Sequence, residues 1–457
     1  MARDTVIDDL ARIVGDAGIL SGSDVTARFD GWPPIAPVQA RCIARPKCTA
    51  EVSAIMSYCN GAGIAVVPQG GRTGISKGAR STPDDVALSL ERLNRIETLD
   101  VVGGTMTVGA GVPLSTIHAA AEASGLFYPV DIGARGSATI GGTIATNAGG
   151  NRVIRYGMTR EQILGLEVVL ADGTVISSMN RLLKNNAGYD LKQLFIGSEG
   201  TLGIVTRAVL RLRRALGATA TALVGLDRFD DVLRLLSRLM ATTNGSLTSF
   251  EVMWPDFIDT VVAFGRHERP LAADHKFCAL IEIATSGAEE VLETAVGSAW
   301  EEGLVKDAVM AKSNAQAAAL WAIRDDAPAR AAAMKPAMHF DIGLPQTEME
   351  SYVNLVRREL RMTWPAAKLL VFGHVGDCNL HLNVSVGNDD IVTRHAVDEI
   401  VYEPLRALGG SVTAEHGIGL EKRAYLGVSR TRGEIALMQR LKAALDPRRT
   451  LNPGKVV

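Results

Sequence analysis

Residues 131–150 read DIGARGSATIGGTIATNAGG, a stretch in which six of the twenty residues are glycine and four are alanine. Side chains this small allow a flat ring system to lie directly against the backbone. Two further glycine-rich segments lie in the same half of the chain, PQGGRTG at 68–74 and FIGSEGTLGIV at 195–205. None has the strand–GxGxxG–helix order of a Rossmann dinucleotide-binding unit, so the pattern disfavours NAD.

The segment 68–74 follows a β-like run and is predicted to be a loop at the end of a strand. Consecutive glycines in such a loop can turn several backbone N–H groups towards one point, which suits a pyrophosphate. A plain tight turn explains the same residues equally well. The loop by itself therefore leaves both interpretations open.

The chain has 457 residues, a formal net charge of −2 and five scattered cysteines. This length suggests two or three domains, and the small net charge gives no attraction for nucleic acid or membrane surfaces. An odd number of cysteines without a C-x-x-C pair favours a reduced, cytoplasmic protein. We expect no transmembrane segment, because no apolar run reaches about 18 residues, and no secretory signal, because the N-terminus lacks a long apolar run.

Residues 1–36 are predicted to be helical up to the break at Trp32-Pro33-Pro34. Beyond that break, helical and strand-like patterns alternate. The clearest are helices at 52–59, 230–240 and 288–302 and strands at 167–170, 204–212 and 279–283. Near residue 215 glycines become scarce and long helical patterns begin, which predicts a domain boundary. The predicted domains are 1–215, 216–411 and a C-terminal segment, 412–457.

A second constellation is HVGDCNLHLNV at 374–384, where apolar runs flank a turn-like GDCN. We predict a strand–turn–strand that brings His374 and His381 to one point. His381 and Asn383 are two residues apart on a strand and therefore share a face. A lone histidine is usually structural, but two histidines in so short a window favour a metal site.

Glu415 and His416 are adjacent, so their side chains point in different directions in any regular structure. Together with His374 and His381, Glu415 completes a His₂-carboxylate set for a divalent metal. Zn²⁺ fits this set best, with Mn²⁺ or Fe²⁺ as alternatives. His416 then remains free as a general base, since an imidazole titrates near neutral pH. The alternative is that the Glu-His pair only caps a glycine-rich turn.

The three glycine-rich segments resemble the flavin domain of the vanillyl-alcohol oxidase / p-cresol methylhydroxylase superfamily. Within it they look most like the FAD-linked D-2-hydroxyacid dehydrogenases, a group that includes D-lactate, glycolate and D-2-hydroxyglutarate dehydrogenases. The match runs from about Pro46 to Leu212 and resumes at 374–423 and 447–455. The resemblance implies an α+β protein. Its parts would be a two-subdomain FAD-binding domain of the p-cresol methylhydroxylase type, an α+β substrate (cap) domain and a short C-terminal helical segment.

The resemblance also implies which residues hold FAD. The implied pyrophosphate loop is Pro68, Gly70, Gly71, Arg72, Thr73 and Gly74. The implied flavin-lining residues are Asp131, Ser137, Gly141, Gly142, Asn147, Gly149, Ile204 and Asn452. Covalently flavinylated relatives carry a histidine directly after the Gly-Gly of the first loop, where this chain has Arg72. We therefore expect non-covalent FAD. Ser76-Lys77 departs from the more apolar residues that are usual in this loop.

The same resemblance gives Arg324, in Trp321-Ala322-Ile323-Arg324, the role of binding the substrate carboxylate, a task that suits its planar guanidinium. Without the resemblance, a surface arginine paired with Asp325 or Asp326 would be favoured. Asn383 is expected to bind the substrate by hydrogen bonds.

Three positions depart from the pattern of these enzymes. His339 lies where D-2-hydroxyglutarate dehydrogenases commonly have lysine. Pro328 lies where a hydroxyl residue is often found, four positions after Arg324 in its helix. Cys378 replaces the usual glycine. A dicarboxylic substrate is therefore not implied.

These features predict the FAD-dependent oxidation of a small D-2-hydroxy acid to the 2-oxo acid, assisted by a divalent metal and by His416 as the base. The expected electron acceptor is an electron-transfer flavoprotein, a quinone or a cytochrome, and a homodimer is compatible with the sequence. The alternatives are an O₂-using 2-hydroxyacid oxidase or glycolate oxidase-type flavin subunit, a metallohydrolase in which the glycine-rich half is structural, and a non-catalytic flavin-binding subunit.

Overall fold

The structure is a computed structural model that describes residues 5–31, 36–214, 217–272 and 274–457. The chain divides into two compact units. The first contains Met1–Gly150, Gly157–Ala215 and Glu415–Val457, and the second contains Asn151–Tyr156 and Leu216–Ala414. The predicted break at Trp32-Pro33-Pro34 and the residues on either side of the predicted boundary, 215 and 216, lie outside the described residues.

The first unit contains a four-stranded and a five-stranded sheet, with a small two-stranded pair. In spatial order, the four-stranded sheet is Ile19–Leu20, Cys42–Ala44, Val86–Ser89 and Val66–Gln69. The five-stranded sheet is Ile96–Asp100, Thr105–Gly109, Ile204–Arg211, Ile163–Val169 and Val175–Ser178, and the pair is Arg213–Arg214 with Leu126–Phe127. Val66–Gln69 runs parallel to Val86–Ser89, so the glycine-rich loop that begins at Gly70 leaves the carboxyl end of a parallel strand.

Three long helices of the first unit, Thr5–Val14, Thr49–Ala62 and Leu114–Glu122, pack into its core through buried aliphatic side chains such as Leu10, Ile55 and Ile117. The helices of this unit are Thr5–Val14, Ser23–Thr26, Thr49–Ala62, Leu114–Glu122, Ile140–Thr146, Lys192–Phe195, Leu426–Ser429 and Arg432–Leu445, with 3₁₀ turns at Asp16–Gly18, Thr159–Gln162 and Arg423–Tyr425.

The prediction of a helix over most of residues 1–36 is wrong. Helix Thr5–Val14 is followed by Gly15 at φ 75°, a conformation that ends a right-handed helix. A short strand, Ile19–Leu20, then joins the four-stranded sheet.

The C-terminal residues extend the four-stranded sheet. The Val66 N–H donates to the Thr450 carbonyl at 2.7 Å, and the Asn452 N–H donates to the Val66 carbonyl at 2.8 Å. Leu451 thereby pairs in parallel with Val66 and is fully buried. This pairing holds Asn452 at the strand that leads into the first glycine-rich loop.

The second unit is built on a seven-stranded sheet whose neighbouring strands are all antiparallel. In spatial order the strands are Asp307–Met310, Thr219–Leu226, Phe277–Ala284, Leu247–Met253, Lys368–Gly373, Asn379–Ser385 and Met338–Gly343. Its helices are Val153–Tyr156, Phe229–Thr242, Pro255–Gly265, Ala288–Glu301, Asn314–Asp325, Ala327–Ala333, Met349–Thr363 and Ile391–Leu408, with 3₁₀ turns at Gln346–Glu348 and Val375–Asp377. The predicted helices and the predicted strand of this region are confirmed, with small shifts at their ends.

The predicted strand–turn–strand around the two histidines is also confirmed. Strand Lys368–Gly373 ends directly before His374, a 3₁₀ turn follows, and strand Asn379–Ser385 contains His381. Cys378 makes the turn at φ 71°, a conformation that glycine adopts most readily. Throughout the described residues, no helix is both long and apolar enough to cross a membrane.

Candidate active site

At Gly70 and Gly71 the first glycine-rich loop packs against the second with no space for a side chain. A Cβ atom on Gly71 would lie 1.9 Å from the Ser137 carbonyl oxygen, and one on Gly70 would lie 2.6 Å from Thr139 Oγ1. Both distances are far below van der Waals contact, so only glycine permits this approach. Between these glycines and Thr73, Arg72 has a φ of 53°, and its side chain is partly buried. Burial and the nearby charge of Arg28 lower the pKa of Arg72, while Glu91 opposes that change.

The second segment closes on itself. A Cβ atom on Gly150, at φ 118°, would lie 2.1 Å from the Asp131 carbonyl oxygen, so the two ends of 131–150 meet. Helix Ile140–Thr146 lies between them and ends at Asn147, which has a φ of 50°. Asn147 Oδ1 accepts the Arg160 N–H at 2.9 Å, which uses this side chain to hold the neighbouring turn. A Cβ atom on Gly141 would lie 2.7 Å from Ala110 Cβ.

The third segment is held by Glu199 and Asn452. Glu199, at φ 52°, accepts the Ile418 and Gly419 N–H groups at 2.7 and 2.8 Å. Burial raises the pKa of the Glu199 carboxyl, and the two N–H donors and Lys422 oppose that rise. Asn452 Nδ2 donates to the Glu199 carbonyl at 2.8 Å and to the Gly78 carbonyl at 3.1 Å. Glu199 was not predicted from the sequence, although a carboxylate inside a glycine-rich apolar run is a usable signal.

The first unit fits a polar cofactor. Several buried polar atoms in its glycine-rich segments, and one in the C-terminal segment beside them, have no hydrogen-bond partner among the described residues, which is rare in native proteins unless another group satisfies them. They are Gln69 Oε1, Asp131 Oδ1, Thr139 Oγ1 and Asn452 Oδ1. Of the remaining predicted FAD residues, Gly74 and Gly142 leave room for a side chain, Ser137 is exposed, and Ile204 is buried at the start of its strand. Pro68 lies within the strand Val66–Gln69, directly before the loop. Gly149 is buried and precedes Gly150 in the chain.

Glu415 and His416 lie in the first unit, beside these loops. Glu415 Oε1 accepts the Gly150 N–H at 2.9 Å. The Ser76 hydroxyl lies 3.0 Å from the His416 carbonyl oxygen and 2.9 Å from that of Gly417, and it can donate to either. Gly417 has a φ of 78°, so the backbone turns directly after His416. The unusual Ser76 of the first loop therefore helps to fix the backbone of the proposed base.

In the second unit, the predicted residues His339, His381 and Asn383 lie on one face of the sheet. Asp341 and Phe372 are the register partners of His381 on either side. Asn383, two residues further along the same strand, pairs with His339. Since side chains two residues apart point to one face of a sheet, these five residues share a face. His339 Nδ1 and Asn383 Oδ1 are 3.0 Å apart, within hydrogen-bond distance.

His374 and Arg324 form a buried network with Glu251, a residue that the sequence analysis did not identify. His374 Nδ1 lies 2.5 Å from Glu251 Oε1, and Arg324 Nη2 lies 3.0 Å from His374 Nε2. Burial raises the pKa of Glu251, but the charge of Arg324 and the hydrogen bonds from Arg324 and His374 outweigh it and lower that pKa to about 2. A carboxylate on one side and an arginine donor on the other assign the imidazole proton to Nδ1 and the lone pair to Nε2.

A carboxylate also lies near the Nδ1 atom of His381. Its Nδ1 lies 3.8 Å from Oδ1 of Asp341, and its ring centroid lies 5.2 Å from that of His374. Asp341 is fully buried and accepts hydrogen bonds from Thr413 Oγ1 at 3.0 Å and the Ala414 N–H at 3.1 Å. Metal-binding histidines usually donate their other ring N–H to a carboxylate. The 2.5 Å contact of His374 with Glu251 matches that arrangement, whereas the 3.8 Å separation at His381 is longer than a hydrogen bond. The donor chemistry of His374 therefore fits a metal, and Asp341 places a negative charge near His381.

Arg324 is buried, so the alternative of a surface arginine is wrong. It does pair with Asp325 at 2.9 Å, and its Nε also donates to Glu251 Oε2 at 2.9 Å. The assumption that Pro328 continues the same helix is also wrong. Helix Asn314–Asp325 ends first, because Asp326 caps a new helix and accepts the Ala329 N–H at 2.8 Å, and Pro328 lies in the first turn of that new helix.

Comparison with known proteins first defines the class of protein to which this chain belongs. The family model "FAD binding domain" matches residues 40–178, and "FAD linked oxidases, C-terminal domain" matches residues 217–456. The solved structure of p-cresol methylhydroxylase with bound substrate superposes with a TM-score of 0.77 at 15% identity, covering 99% of this chain and 96% of that one. The predicted α+β fold of the p-cresol methylhydroxylase type is thereby confirmed.

Two curated relatives narrow the class. The chain is 40% identical to D-2-hydroxyglutarate dehydrogenase from Xanthomonas citri pv. viticola, over 95% of this chain and 91% of that protein. It is 35% identical to a putative mitochondrial D-lactate dehydrogenase from Schizosaccharomyces pombe, over 90% of this chain and 81% of that protein. The chain belongs to the FAD-linked oxidase family, in its D-2-hydroxyacid dehydrogenase group, and is an FAD-dependent oxidoreductase.

Proposed function

We propose that this enzyme oxidises the hydroxyl group of a D-2-hydroxy acid, with D-2-hydroxyglutarate and D-lactate as the first candidates. The observation that carries this proposal is the buried network of Arg324, Glu251 and His374. It holds a guanidinium, which can bind a carboxylate, beside an imidazole whose Nε2 accepts from Arg324 Nη2 and would ligate a metal once that hydrogen bond is exchanged. The relatives' names supply the candidate substrates.

In this proposal each residue has one task. Arg324 binds the substrate carboxylate, and Asn383 orients the substrate by hydrogen bonds. His416 accepts the hydroxyl proton. When bound, FAD supplies the acceptor for the hydride, which leaves the substrate carbon that carries the hydroxyl group. His339 is included as a substrate-binding residue because it pairs with Asn383 on the same face.

We also propose a divalent metal, Zn²⁺ or alternatively Mn²⁺ or Fe²⁺, with His374, His381 and Glu415 as ligands. The carboxylates beside both histidines support this set. A metal held there would act as a Lewis acid towards the substrate hydroxyl.

The electron acceptor is proposed to be an electron-transfer flavoprotein, a quinone or a cytochrome, and the protein to be cytoplasmic. The metallohydrolase alternative is not supported, because the family match includes an FAD-binding domain.

Anaerobic bleaching of the flavin tests the function. D-2-hydroxy acids should bleach the wild-type enzyme, and Arg324→Lys should lower kcat/KM at least about tenfold, because lysine lacks the guanidinium's bidentate geometry. Lysine retains a positive charge for Glu251, so flavin content should not change. Arg357→Lys is the control, since Arg357 also pairs with a carboxylate, Asp256, in the same unit. Wild-type kinetics in Arg324→Lys would place the substrate carboxylate elsewhere.

We predict that FAD is bound without a covalent link, because Arg72 lies where flavinylated relatives have a histidine. Acid precipitation of the purified protein should leave the yellow colour in the supernatant, where absorbance at the flavin band measures it. A coloured pellet after washing in denaturant would contradict this prediction.

A further inference from the structure

A second arginine, Arg330, lies beside Arg324 and has no carboxylate partner among the residues that the structure describes. Arg330 projects from helix Ala327–Ala333, and its guanidinium carbon lies 4.7 Å from the ring centroid of Phe372. The guanidinium carbon of Arg324 lies 5.3 Å from the same centroid. Both cations thus contact one aromatic ring, and that ring also packs against His381 at a centroid distance of 5.0 Å.

The two arginines differ in how their charge is balanced. Arg324 is paired with the carboxylates of Glu251 and Asp325. Arg330 makes one hydrogen bond within the described part of the chain, from Nη1 to the Arg324 carbonyl at 3.1 Å, and no ion pair there. It is half-buried, and burial together with the positive charge of Arg324 lowers its pKa to about 10, although Asp325 and Asp326 oppose the change.

A half-buried cation without a counter-ion is costly, and a bound anion would remove that cost. We propose that Arg330 binds the second carboxylate of a dicarboxylic D-2-hydroxy acid whose first carboxylate is bound by Arg324. This proposal rests on the proposed function. Arg330 would then select diacids over monoacids, because a monoacid lacks the second carboxylate that pairs with this guanidinium.

The test is Arg330→Met. The Arg330 guanidinium carbon also lies 5.7 Å from the ring centroid of Phe257, and methionine keeps an apolar side chain of similar length beside Phe257 and Phe372 but removes the charge. With D-2-hydroxyglutarate, kcat/KM should fall roughly 10- to 100-fold, the worth of a charge-assisted hydrogen bond. With D-lactate it should change less than about threefold, within the effect of a substitution that touches no substrate charge. The melting temperature should change little, because loss of the hydrogen bond to the Arg324 carbonyl is offset by removal of a half-buried charge that has no ion pair among the described residues.

Arg358→Met, at an exposed arginine of the same unit, is the control. Titration of 2-oxoglutarate and pyruvate, followed by flavin absorbance, measures binding without turnover. If the wild type oxidises D-2-hydroxy acids but Arg330→Met affects both substrates equally, or neither, the role of Arg330 is overturned and the proposed function stands. If the wild type neither oxidises these acids nor binds 2-oxoglutarate, the proposed function itself fails.

Discussion

His381→Ala is expected to be purified with FAD but without a divalent metal, and to have lost its activity on D-2-hydroxy acids. The side chain supplies one of three proposed ligands, and its Nδ1 already lies beside Asp341. Removing such a ligand should cost more than the roughly 10- to 100-fold in metal affinity or activity that follows loss of an outer partner. Elemental analysis, flavin absorbance and anaerobic bleaching on one preparation measure the three quantities.

His275→Ala is the matched control for this experiment. His275 is also a buried imidazole of the second unit with a carboxylate at Nδ1, since Asp227 lies 3.1 Å away. It has no role in the proposed chemistry, so its replacement should leave metal content and activity unchanged. A wild-type enzyme that is fully active without any divalent metal would exclude the proposed metal, whatever the behaviour of the variants.

His416→Ala is expected to keep both FAD and the metal and to lose roughly 10²- to 10⁴-fold in turnover, the usual worth of a positioned base. Its backbone carbonyl lies within hydrogen-bond distance of the Ser76 hydroxyl, a contact that does not require the imidazole. The substitution should therefore leave the local backbone in place. Single-turnover reduction of the flavin under anaerobic conditions measures the chemical step directly.

The control here is His395→Ala, which removes an exposed imidazole from helix Ile391–Leu408. Flavin reduction at the wild-type rate in His416→Ala would assign the base to another residue. A variant that loses FAD as well would point to a structural role for His416 and not to proton transfer.

Much of the fold and of the family could be predicted from local sequence patterns. The glycine-rich segments are local signals, and Gly70 and Gly71 show the physical cause, because a side chain at either would overlap Ser137 or Thr139. The strand–turn–strand around His374 and His381 was predicted for the same reason, since its apolar runs and turn residues are contiguous. The prediction of a helix at 1–36 was wrong because it did not take account of Gly15, at which the helix ends.

The sequence by itself determined the flavin-binding class and the two-histidine motif, because each depends on residues close together in the chain. Arg324 became the candidate substrate arginine only through the family resemblance. Only the tertiary structure decided which carboxylates support them. Glu251 lies 123 residues before His374 and 73 before Arg324, and Asp341 meets His381 through strand register. The pairing of antiparallel strands brings such distant residues together, and a single sequence does not specify which strands become neighbours. The lack of an ion pair at Arg330 within the described part of the chain likewise depends on its three-dimensional surroundings, which no local pattern records.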